Sequence, residues 1–301
     1  MSNLLNAALL SHRNPLDSFR RRCILGCTGK THWRESYLGP HQPVHAWADD
    51  AARSLVTGST GGIGEGIARR PATDGFAIVA SGHRIAKGEG IARQITDQGG
   101  TACFLPADIA DPDACRSVIE AAVDRYGRLD VLVNNAGVFP VAEIQDTTAE
   151  MWDWVYAVNV RGPFLCARAA IPHLKKQGGG SIVNIGSTTP FRSRGDRTAY
   201  ASSKGALLTM TKVLARALLA DQIRVNWVTV GWVATEGEIE LRDRLAPSGS
   251  GRAFLDKVSK NAPMGRLETV EETAAGVAYL VSDAASHVTG CELNISGGLW
   301  I

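Results

Sequence analysis

Short apolar runs and longer amphipathic stretches alternate along the chain from residue 53 to its end. The apolar runs are nearly continuous, which is typical of strands that are covered on both faces. They lie at 54–57, 76–80, 102–105, 131–133, 181–185, 223–228 and 291–295. Because such strands alternate with helices, the pattern predicts an α/β fold: a doubly wound parallel sheet in a three-layer α/β/α arrangement.

Local signals mark where several of the helices begin. Asp111 followed by Pro112 is typical of an N-cap and a first helical position. Thr147 and Glu150 form a capping-box pattern, and residues 200–219 are rich in strong helix formers. No internal repeat or linker divides residues 53–301, so we expect this range to form a single domain.

Composition narrows the class of protein. The chain has 301 residues, of which 45% are hydrophobic and 21% charged, and its formal net charge is +2. These values indicate a globular protein without strong attraction to nucleic acid or to anionic membranes. No apolar run reaches the roughly 18 residues that cross a bilayer. The 6 cysteines are scattered, which favours free thiols in a reducing compartment such as the cytoplasm.

Residues 1–52 have a different character from the rest of the chain. They hold four of the seven histidines and a basic triplet at 20–22, with few acids and no sustained periodicity. Four interpretations stay open: a disordered or loosely docked extension, a start codon placed too early, a transit-like segment, or a metal site. The residues that could form the metal site are Cys23, Cys27, His32, His41 and His45.

A glycine-rich turn follows the first predicted strand. Residues 57–66 read TGSTGGIGEG and lead into a helical pattern. Glycines let a backbone approach a pyrophosphate closely, and the helix that follows directs its free N–H groups at the phosphates. We therefore predict a phosphate-binding turn. Pro71 falls within the expected helix and predicts that it ends early, at Arg70.

The end of the second strand bears on the choice of dinucleotide. An acid there usually holds the ribose hydroxyls of NAD, whereas arginine accepts the 2′-phosphate of NADP. This chain has Gly82, His83 and Arg84 and no acid, which favours NADP slightly over NAD. A solvated basic turn is the alternative. Asp108, after the third strand, is expected to accept a hydrogen bond on the adenine side or else to cap a helix.

A tyrosine and a lysine lie four residues apart in the predicted helix at 200–219. Tyr200 and Lys204 would share one helix face. A phenol has a pKa near 10, and a neighbouring ammonium is expected to lower that pKa toward neutrality. Ser187 lies just past the strand at 181–185, at the edge where ligands bind in open α/β sheets. It could hold a carbonyl or alcohol oxygen.

Taken together, these motifs identify a resemblance. Over about residues 53–301 the chain resembles the short-chain dehydrogenase/reductase family of classical type. The turn at 57–64, the Asn-Asn-Ala-Gly sequence at 134–137, Asn159, Ser187 and the Tyr200–Lys204 pair match the family in order and spacing.

The resemblance implies a Rossmann fold of about seven parallel strands and an NAD(P)-dependent oxidoreductase. It implies Tyr200 as acid and base, Ser187 as the substrate anchor, and Asn159 as the residue that holds a relay water. Lys204 would bind the nicotinamide ribose and lower the pKa of Tyr200. A homotetramer or homodimer is implied, with the C-terminal run 290–301 as a subunit contact, and no metal.

The residues expected to bind the cofactor surround the predicted cleft. They are Gly58, Thr60, Gly62, Ile63, Gly64, Gly82, His83, Arg84, Asp108, Ile109, Asn135, Ala136, Gly137, Tyr200, Lys204, Gly231, Val233 and Thr235. One departure from the family affects this set: Val230 stands where the family usually has proline before Gly231. The stiff turn at this point is therefore expected to be softer.

The substrate is expected to be a moderately apolar small molecule with one reacting carbonyl or alcohol. The residues expected at the pocket rim are Ser187, Thr189, Phe139, Pro140, Pro190, Phe191 and Trp232. Residues 236–263 are interpreted as a lid, or alternatively as a surface insertion. Arg192, Arg194 and Arg197 are interpreted as a solvated loop rather than as an anion site.

The predicted function is hydride transfer between a nicotinamide and a carbonyl or secondary alcohol. Two alternatives stay open at this point. One is a non-catalytic dinucleotide-sensing regulator on the same fold, against which the complete set of four reacting groups argues. The other is an epimerase or dehydratase that uses the same Tyr-Lys pair.

Overall fold

The structure is a computed structural model that describes residues 51–245 and 250–299. Residues 1–50 of the predicted extension, residues 246–249 of the predicted lid and residues 300–301 of the C-terminal run lie outside this range. None of the helices in the described range is long and apolar enough to cross a membrane.

The described residues form one parallel seven-stranded sheet in the order β3-β2-β1-β4-β5-β6-β7, which confirms the predicted fold class. The strands are β1 (Arg53–Thr57), β2 (Ala77–Gly82), β3 (Thr101–Pro106), β4 (Val131–Asn134), β5 (Gly180–Ile185), β6 (Ile223–Thr229) and β7 (Glu292–Asn294). The order reverses between β1 and β4, so the connections leaving these strands run to opposite sides and open a crevice at their carboxyl ends.

Helices cover both faces of the sheet. They are α1 (Gly62–Thr73), α2 (Ile85–Asp97), α3 (Pro112–Tyr126), α4 (Ala149–Tyr156), α5 (Gly162–Lys176), α6 (Thr198–Ala217), α7 (Glu236–Leu245), α8 (Gly251–Asn261) and α9 (Val270–Val281). A π-helical turn at Ala157–Arg161 joins α4 to α5. α1 packs against α9 and α2 on one face, and α3 packs against α5 on the other.

The core lies between the sheet and these helices. Val56, Val133 and Val183 of the central strands pack in one buried cluster with Ile67 of α1 and Val277 of α9. The strands β1, β4 and β5 that supply this core are buried along almost their whole length, as the continuous apolar runs predict.

The predicted end of α1 at Arg70 is wrong, because α1 continues through Pro71 to Thr73. Pro71 lies in the last turn, where a missing N–H costs one intrahelical hydrogen bond and not the whole helix. Its side chain is buried, and its carbonyl oxygen accepts from the N–H groups of Asp74 and Phe76, each at 3.0 Å. Burial and these two bonds hold the proline within the helix.

The predicted cap of α4 is one residue out of place. Thr148, not Thr147, is the N-cap, and its hydroxyl accepts from the N–H of Met151 at 3.2 Å. Thr147 instead donates to the carbonyl oxygen of Glu143 at 2.9 Å. The capping-box pattern favours Thr147 because Glu150 lies three residues on, but in the structure the Thr147 hydroxyl is bonded back to Glu143 beside the 3₁₀ turn Ile144–Asp146.

Two glycines in α2 provide a test of packing between the helix and the sheet. A Cβ added at Gly88 would lie 2.1 Å from Cε2 of Phe104, whereas one added at Gly90 would meet no atom within 4 Å. We expect Gly88→Ala to lower the free energy of unfolding by about 1–3 kcal/mol through overpacking. Gly90→Ala should raise it by about 0.5–1 kcal/mol, because alanine favours the helix. Urea denaturation measures both, and destabilisation of equal size in the two variants would contradict this packing.

Candidate active site

The glycine turn after β1 is built by close backbone contacts. Gly58 and Gly62 have φ of 65° and 57°, in the left-handed region that favours glycine. A Cβ at Gly64 would lie 2.3 Å from both Nδ2 of Asn135 and the carbonyl oxygen of Gly58. The turn therefore presses against the segment that follows β4, and larger residues cannot replace its glycines.

Asn135 holds this turn in place. Its side-chain Nδ2 donates to the carbonyl oxygens of Thr57 at 3.0 Å and of Gly58 at 3.1 Å. Thr57 Oγ1 in return accepts from the backbone N–H groups of Asn135 and Ala136, both at 3.1 Å. The sequence predicts Asn135 as a residue lining the cofactor, and the structure adds that its side chain joins β1 to β4.

The end of β2 brings arginine to the same turn. Arg84 Nε donates to Thr60 Oγ1 at 3.1 Å, and its Nη2 donates to the Thr60 carbonyl oxygen at 2.9 Å. A Cβ at Gly61 would lie 2.8 Å from this Nη2. The guanidinium is thus bonded to Thr60 beside the start of α1, while the residue as a whole is exposed to solvent. Burial and the charge of Arg84 lower the pKa of His83, while Asp108 acts in the opposite direction.

Asp108 and Ile109 lie at the end of the third strand. Asp108 Oδ1 accepts from the N–H of Ala110 at 2.9 Å, whereas Asp111 caps α3. The alternative that Asp108 caps a helix is therefore wrong, and the Asp111-Pro112 signal is confirmed. Ile109 is buried, and its carbonyl oxygen accepts from Cys115 Sγ at 3.2 Å.

The structure places Tyr200 and Lys204 together on α6, as their spacing predicts. The Lys204 ammonium lies 5.9 Å from the centre of the Tyr200 ring. Lys204 is buried, and its Nζ donates to the carbonyl oxygen of Ile185, at the end of β5, at 2.8 Å. Removal from water disfavours the cation, so burial lowers the pKa of Lys204 to about 8.

The expected lowering of the Tyr200 pKa is wrong for this structure. Burial raises the pKa of Tyr200, and the nearby carboxylate of Glu238 adds to the rise. A hydrogen bond with Ser187 and the charge of Arg197 oppose it. Sequence spacing places the ammonium near the phenol, but burial of the phenol outweighs that effect.

Ser187 faces the same phenol and is oriented by its neighbour. Its Oγ accepts from both the backbone N–H and the hydroxyl of Thr189, each at 3.1 Å. Two donors on one oxygen leave the Ser187 hydroxyl hydrogen free to turn toward a third group. Ser187 also lies close enough to Tyr200 to oppose the rise of the phenol's pKa.

Asn159 lies in the π-helical turn between α4 and α5, a local distortion that is frequent at functional sites. Its Oδ1 accepts from the N–H of Val138, and its Nδ2 donates to the Val138 carbonyl oxygen, both at 2.8 Å. Nδ2 also donates to Ser203 Oγ at 3.0 Å. Asn159 thereby connects α6 to the segment after β4.

The loop that follows β6 completes the cleft. A Cβ at Gly62 would lie 3.3 Å from Cγ2 of Thr235, so this loop touches the glycine turn. Val230 and Val233 are buried. The N–H of Gly231 donates to Oε2 of Glu268 at 2.7 Å. Glu268 is a residue that sequence reasoning missed, since nothing in the local pattern sets it apart from the other acids.

The substrate side holds buried charges that the sequence did not predict. Arg197 is only 10% exposed and its Nη1 donates to the carbonyl oxygen of Phe139 at 2.8 Å, so its interpretation as a solvated residue is wrong. Arg192 and Arg194 are exposed as expected. Glu238 and Arg242 of α7 form a buried ion pair at 2.7 Å.

Aromatic rings surround these charges. Phe139 packs edge-to-face on Tyr200, with ring centres 6.2 Å apart. Trp232 Nε1 donates to Glu238 at 3.0 Å, and Arg242 lies over the rings of Trp232 and Phe254 at 5.3 and 4.7 Å. Of the predicted rim residues, Phe139 thus lies against Tyr200, and Trp232 lies against the buried Glu238–Arg242 pair.

Comparison with known proteins agrees with this geometry. Residues 58–300 match a family model described as enoyl-(acyl carrier protein) reductase. An uncharacterized oxidoreductase of Thermotoga maritima is 38% identical over 81% of this chain and 95% of its own length. D-beta-hydroxybutyrate dehydrogenase of Rhizobium meliloti is 34% identical over 81% and 97%. The crystal structure of L-sorbose reductase from Gluconobacter frateurii with NADPH and L-sorbose has a TM-score of 0.80 at 28% identity, covering 83% of this chain and 97% of that one.

Fold, site and relatives together define an NAD(P)-dependent oxidoreductase that acts on a carbonyl or an alcohol. The chain belongs to the short-chain dehydrogenase/reductase family. The predicted family, fold class and reaction class are thus confirmed.

The residues present fit a nicotinamide dinucleotide. Gly61, the N-cap of α1, provides no side chain to cap the helix, so the first N–H groups of α1 have no protein side chain as acceptor. Such a helix start favours phosphate oxygens. Glycines at 58, 62 and 64 keep the approach to it free of side chains.

The pKa of Lys204 predicts how activity depends on pH. Because burial lowers this pKa to about 8, the ammonium is present below that pH and is lost above it. We expect kcat/KM for the cofactor to fall as pH rises through about 8. Lys204→Arg keeps a cation at all relevant pH values. This variant should therefore not show the fall of kcat/KM above a pH of about 8, even if its turnover is slow.

Lys212 is exposed on the same helix, so Lys212→Arg serves as the control and should still show the fall of kcat/KM at alkaline pH. The same alkaline fall in the Lys204→Arg variant would show that another group causes it.

Proposed function

We propose that Tyr200, Ser187, Lys204 and Asn159 carry out the proton transfer that accompanies hydride transfer in this protein. The observation that carries the proposal is the surroundings of Tyr200: the buried ammonium of Lys204 lies 5.9 Å from the centre of its ring, and Ser187 is near enough to act on the phenol's pKa. When bound, the nicotinamide supplies or accepts the hydride, and the chain's own residues handle the proton.

Tyr200 donates its phenolic proton to the carbonyl oxygen in reduction and accepts it back in alcohol oxidation. Ser187 holds the same oxygen, since the two hydrogen bonds from Thr189 orient its Oγ and leave its own hydrogen available. The raised pKa of Tyr200 keeps the phenol protonated at neutral pH, which is the form that reduction requires.

Lys204 and Asn159 support a relay behind Tyr200. A Cβ at Gly137 would lie 3.5 Å from Asn159 Oδ1 and 3.7 Å from Lys204 Nζ. The missing side chain leaves room there for a water that bonds to both groups. Such a water would return a proton to Tyr200 by way of the ammonium.

The cofactor that we propose is NADPH. The guanidinium of Arg84 is anchored to Thr60 beside the start of α1, and no acid is present at the end of β2 to prefer ribose hydroxyls. The sorbose reductase that this chain is similar to was crystallised with NADPH.

We propose a small polar ketone or secondary alcohol as substrate, under a lid at 236–263 of which the structure describes α7 and α8. The buried Glu238–Arg242 pair and Arg197 offer hydrogen bonds to substrate hydroxyls, while Phe139 and Trp232 supply an apolar wall. Thr189 contributes indirectly, because its two hydrogen bonds orient the Ser187 hydroxyl toward the substrate oxygen. We assign the exposed Phe191 to the outer rim, together with Pro140 and Pro190.

We further propose a single domain at 53–301 that assembles into a homotetramer or homodimer in the cytoplasm. Apolar side chains on α4, α5 and α6 support an assembly: Trp154, Phe164 and Val213 are 37%, 44% and 60% exposed. Free cysteines at 103, 115, 166 and 291 support a reducing compartment.

Removing the Tyr200 hydroxyl tests the proposal directly. Tyr200→Phe should lower kcat by at least about 10²–10⁴-fold, because the proton donor is lost, while leaving the Kd for NADPH nearly unchanged. Turnover with a panel of ketones and calorimetric cofactor binding provide the two readouts. Tyr279→Phe, at an exposed position on α9, is the matched control and should keep full activity. Near-normal turnover by Tyr200→Phe would exclude Tyr200 as the donor.

A second substitution tests cofactor choice. Arg84→Gln removes the cation but keeps an amide that can reach Thr60. We expect KM for NADPH to rise roughly tenfold and KM for NADH to stay within about twofold, because one charge-assisted contact with the 2′-phosphate is lost. An equal change for both cofactors would show that Arg84 supports the turn and does not read the phosphate.

A further inference from the structure

One buried carboxylate lies directly behind the loop that follows β6. The N–H of Gly231 donates to Oε2 of Glu268 at 2.7 Å, and the N–H of Glu268 donates to the carbonyl oxygen of Trp232 at 3.2 Å. Val233 also pairs with Glu268 in an isolated parallel bridge. The segment around Glu268 therefore contacts residues 231–233 through both its side chain and its backbone.

The second oxygen of this carboxylate is also used. Oε1 of Glu268 accepts from the hydroxyl of Thr273, and the residue is only 9% exposed. A carboxylate at this depth is costly unless donors compensate for the loss of water. Burial accordingly raises the pKa of Glu268, while the bonds from Thr273 and Gly231 lower it. A buried acid does not contribute to solubility. The role of Glu268 therefore follows from its two hydrogen bonds, to Gly231 and to Thr273.

The segment itself is held rigidly against the helix of the glycine turn. Thr269 and Glu272 form a capping box at the start of α9, and Arg266 pairs with Glu272. α9 packs on α1 where a Cβ at Gly66 would lie 2.1 Å from Cγ1 of Val270. Glu268 is thus fixed relative to the helix whose first turn we propose to bind the pyrophosphate.

The other end of the loop returns to the same place. Thr235 Cγ2 touches the position of a Cβ at Gly62, and Glu236 forms an ion pair with Lys87 at 2.8 Å. Between these ends the loop touches the glycine turn, through Thr235 at Gly62. A shift of Gly231 would therefore move the loop relative to that turn.

We propose that Glu268 is a positioning residue, which holds the 231–235 loop at the spacing that the nicotinamide half of the cofactor needs. It acts through Gly231 on one oxygen and through Thr273 on the other. The inference rests on the proposed function, since it assumes that the nicotinamide binds beside this loop.

The experiment compares binding of NADPH with binding of 2′-phospho-ADP-ribose, which has the adenosine half but no nicotinamide. Glu268→Met removes both acceptors at similar volume, and Glu268→Gln keeps an acceptor for Gly231 and a polar group for Thr273. Thr273→Val removes one donor, and Glu271→Gln alters an exposed acid three residues further on as a matched control.

For Glu268→Met we expect the Kd of NADPH to rise roughly tenfold and that of 2′-phospho-ADP-ribose to stay within about twofold, because only the 231–235 loop moves. Glu268→Gln should keep the NADPH Kd within about threefold of wild type, Thr273→Val should raise it about threefold, and Glu271→Gln should leave it unchanged. Thermal melts confirm that binding is measured on folded protein.

Equal weakening of both ligands would overturn the proposal, because it indicates general destabilisation and not positioning. Unchanged NADPH binding in Glu268→Met would overturn it as well. If Glu268→Met does not fold, the Thr273→Val variant decides by the same comparison. A wild-type protein that binds 2′-phospho-ADP-ribose but reduces no ketone would contradict the proposed function instead. In that case the comparison of the two Kd values would still test whether Glu268 positions the loop.

Discussion

The hydrogen bond from Lys204 to the carbonyl oxygen of Ile185 is the interaction on which the site depends. An ammonium in the interior is costly, and this bond gives it an acceptor at the carboxyl end of β5. A buried chain of side chains steadies the same helix on the sheet: Asn134 donates to Asn184 at 2.9 Å, and Asn184 donates to Thr211 of α6 at 2.8 Å. The position of Lys204 then determines that of Tyr200, one turn earlier.

Parallel strands end at one edge, and this brings separate parts of the chain around that cation. The glycine turn follows β1, residues 135–137 follow β4, Ser187 follows β5 and the 231–235 loop follows β6. Polar bonds hold some of these parts: Asn135 donates to Gly58 and Thr57, and Gly231 donates to Glu268. The apolar sheet brings the loops close, and polar contacts of this kind fix their positions.

The sequence predicts those features that local spacing determines. The strand pattern, the glycine turn, the Tyr200–Lys204 pair and Ser187 each follow from periodicity or from motifs of known geometry. Burial is what spacing does not reveal. Arg197 reads as one of three loop arginines, but the structure buries it near Tyr200. The same burial raises the pKa of Tyr200, where proximity to Lys204 alone suggests a lowered value.

Long-range contacts are the other feature that the sequence does not reveal. Glu268 contacts Gly231 across 37 residues, and its neighbours include other acids that lie on the surface. Tertiary packing likewise determines that α1 continues through Pro71. The adjoining turn determines that Thr148, and not Thr147, is the N-cap of α4. The sequence therefore did not predict the bond between Glu268 and Gly231 or the buried Glu238–Arg242 pair.

A crystal structure with NADPH bound tests the central claim most directly. The account predicts that the pyrophosphate lies at the start of α1 and that the nicotinamide lies between Thr235 and Lys204, with its reactive face toward Tyr200 and Ser187. A cofactor whose nicotinamide lies outside this cleft, or whose reactive face points away from Tyr200, would contradict it.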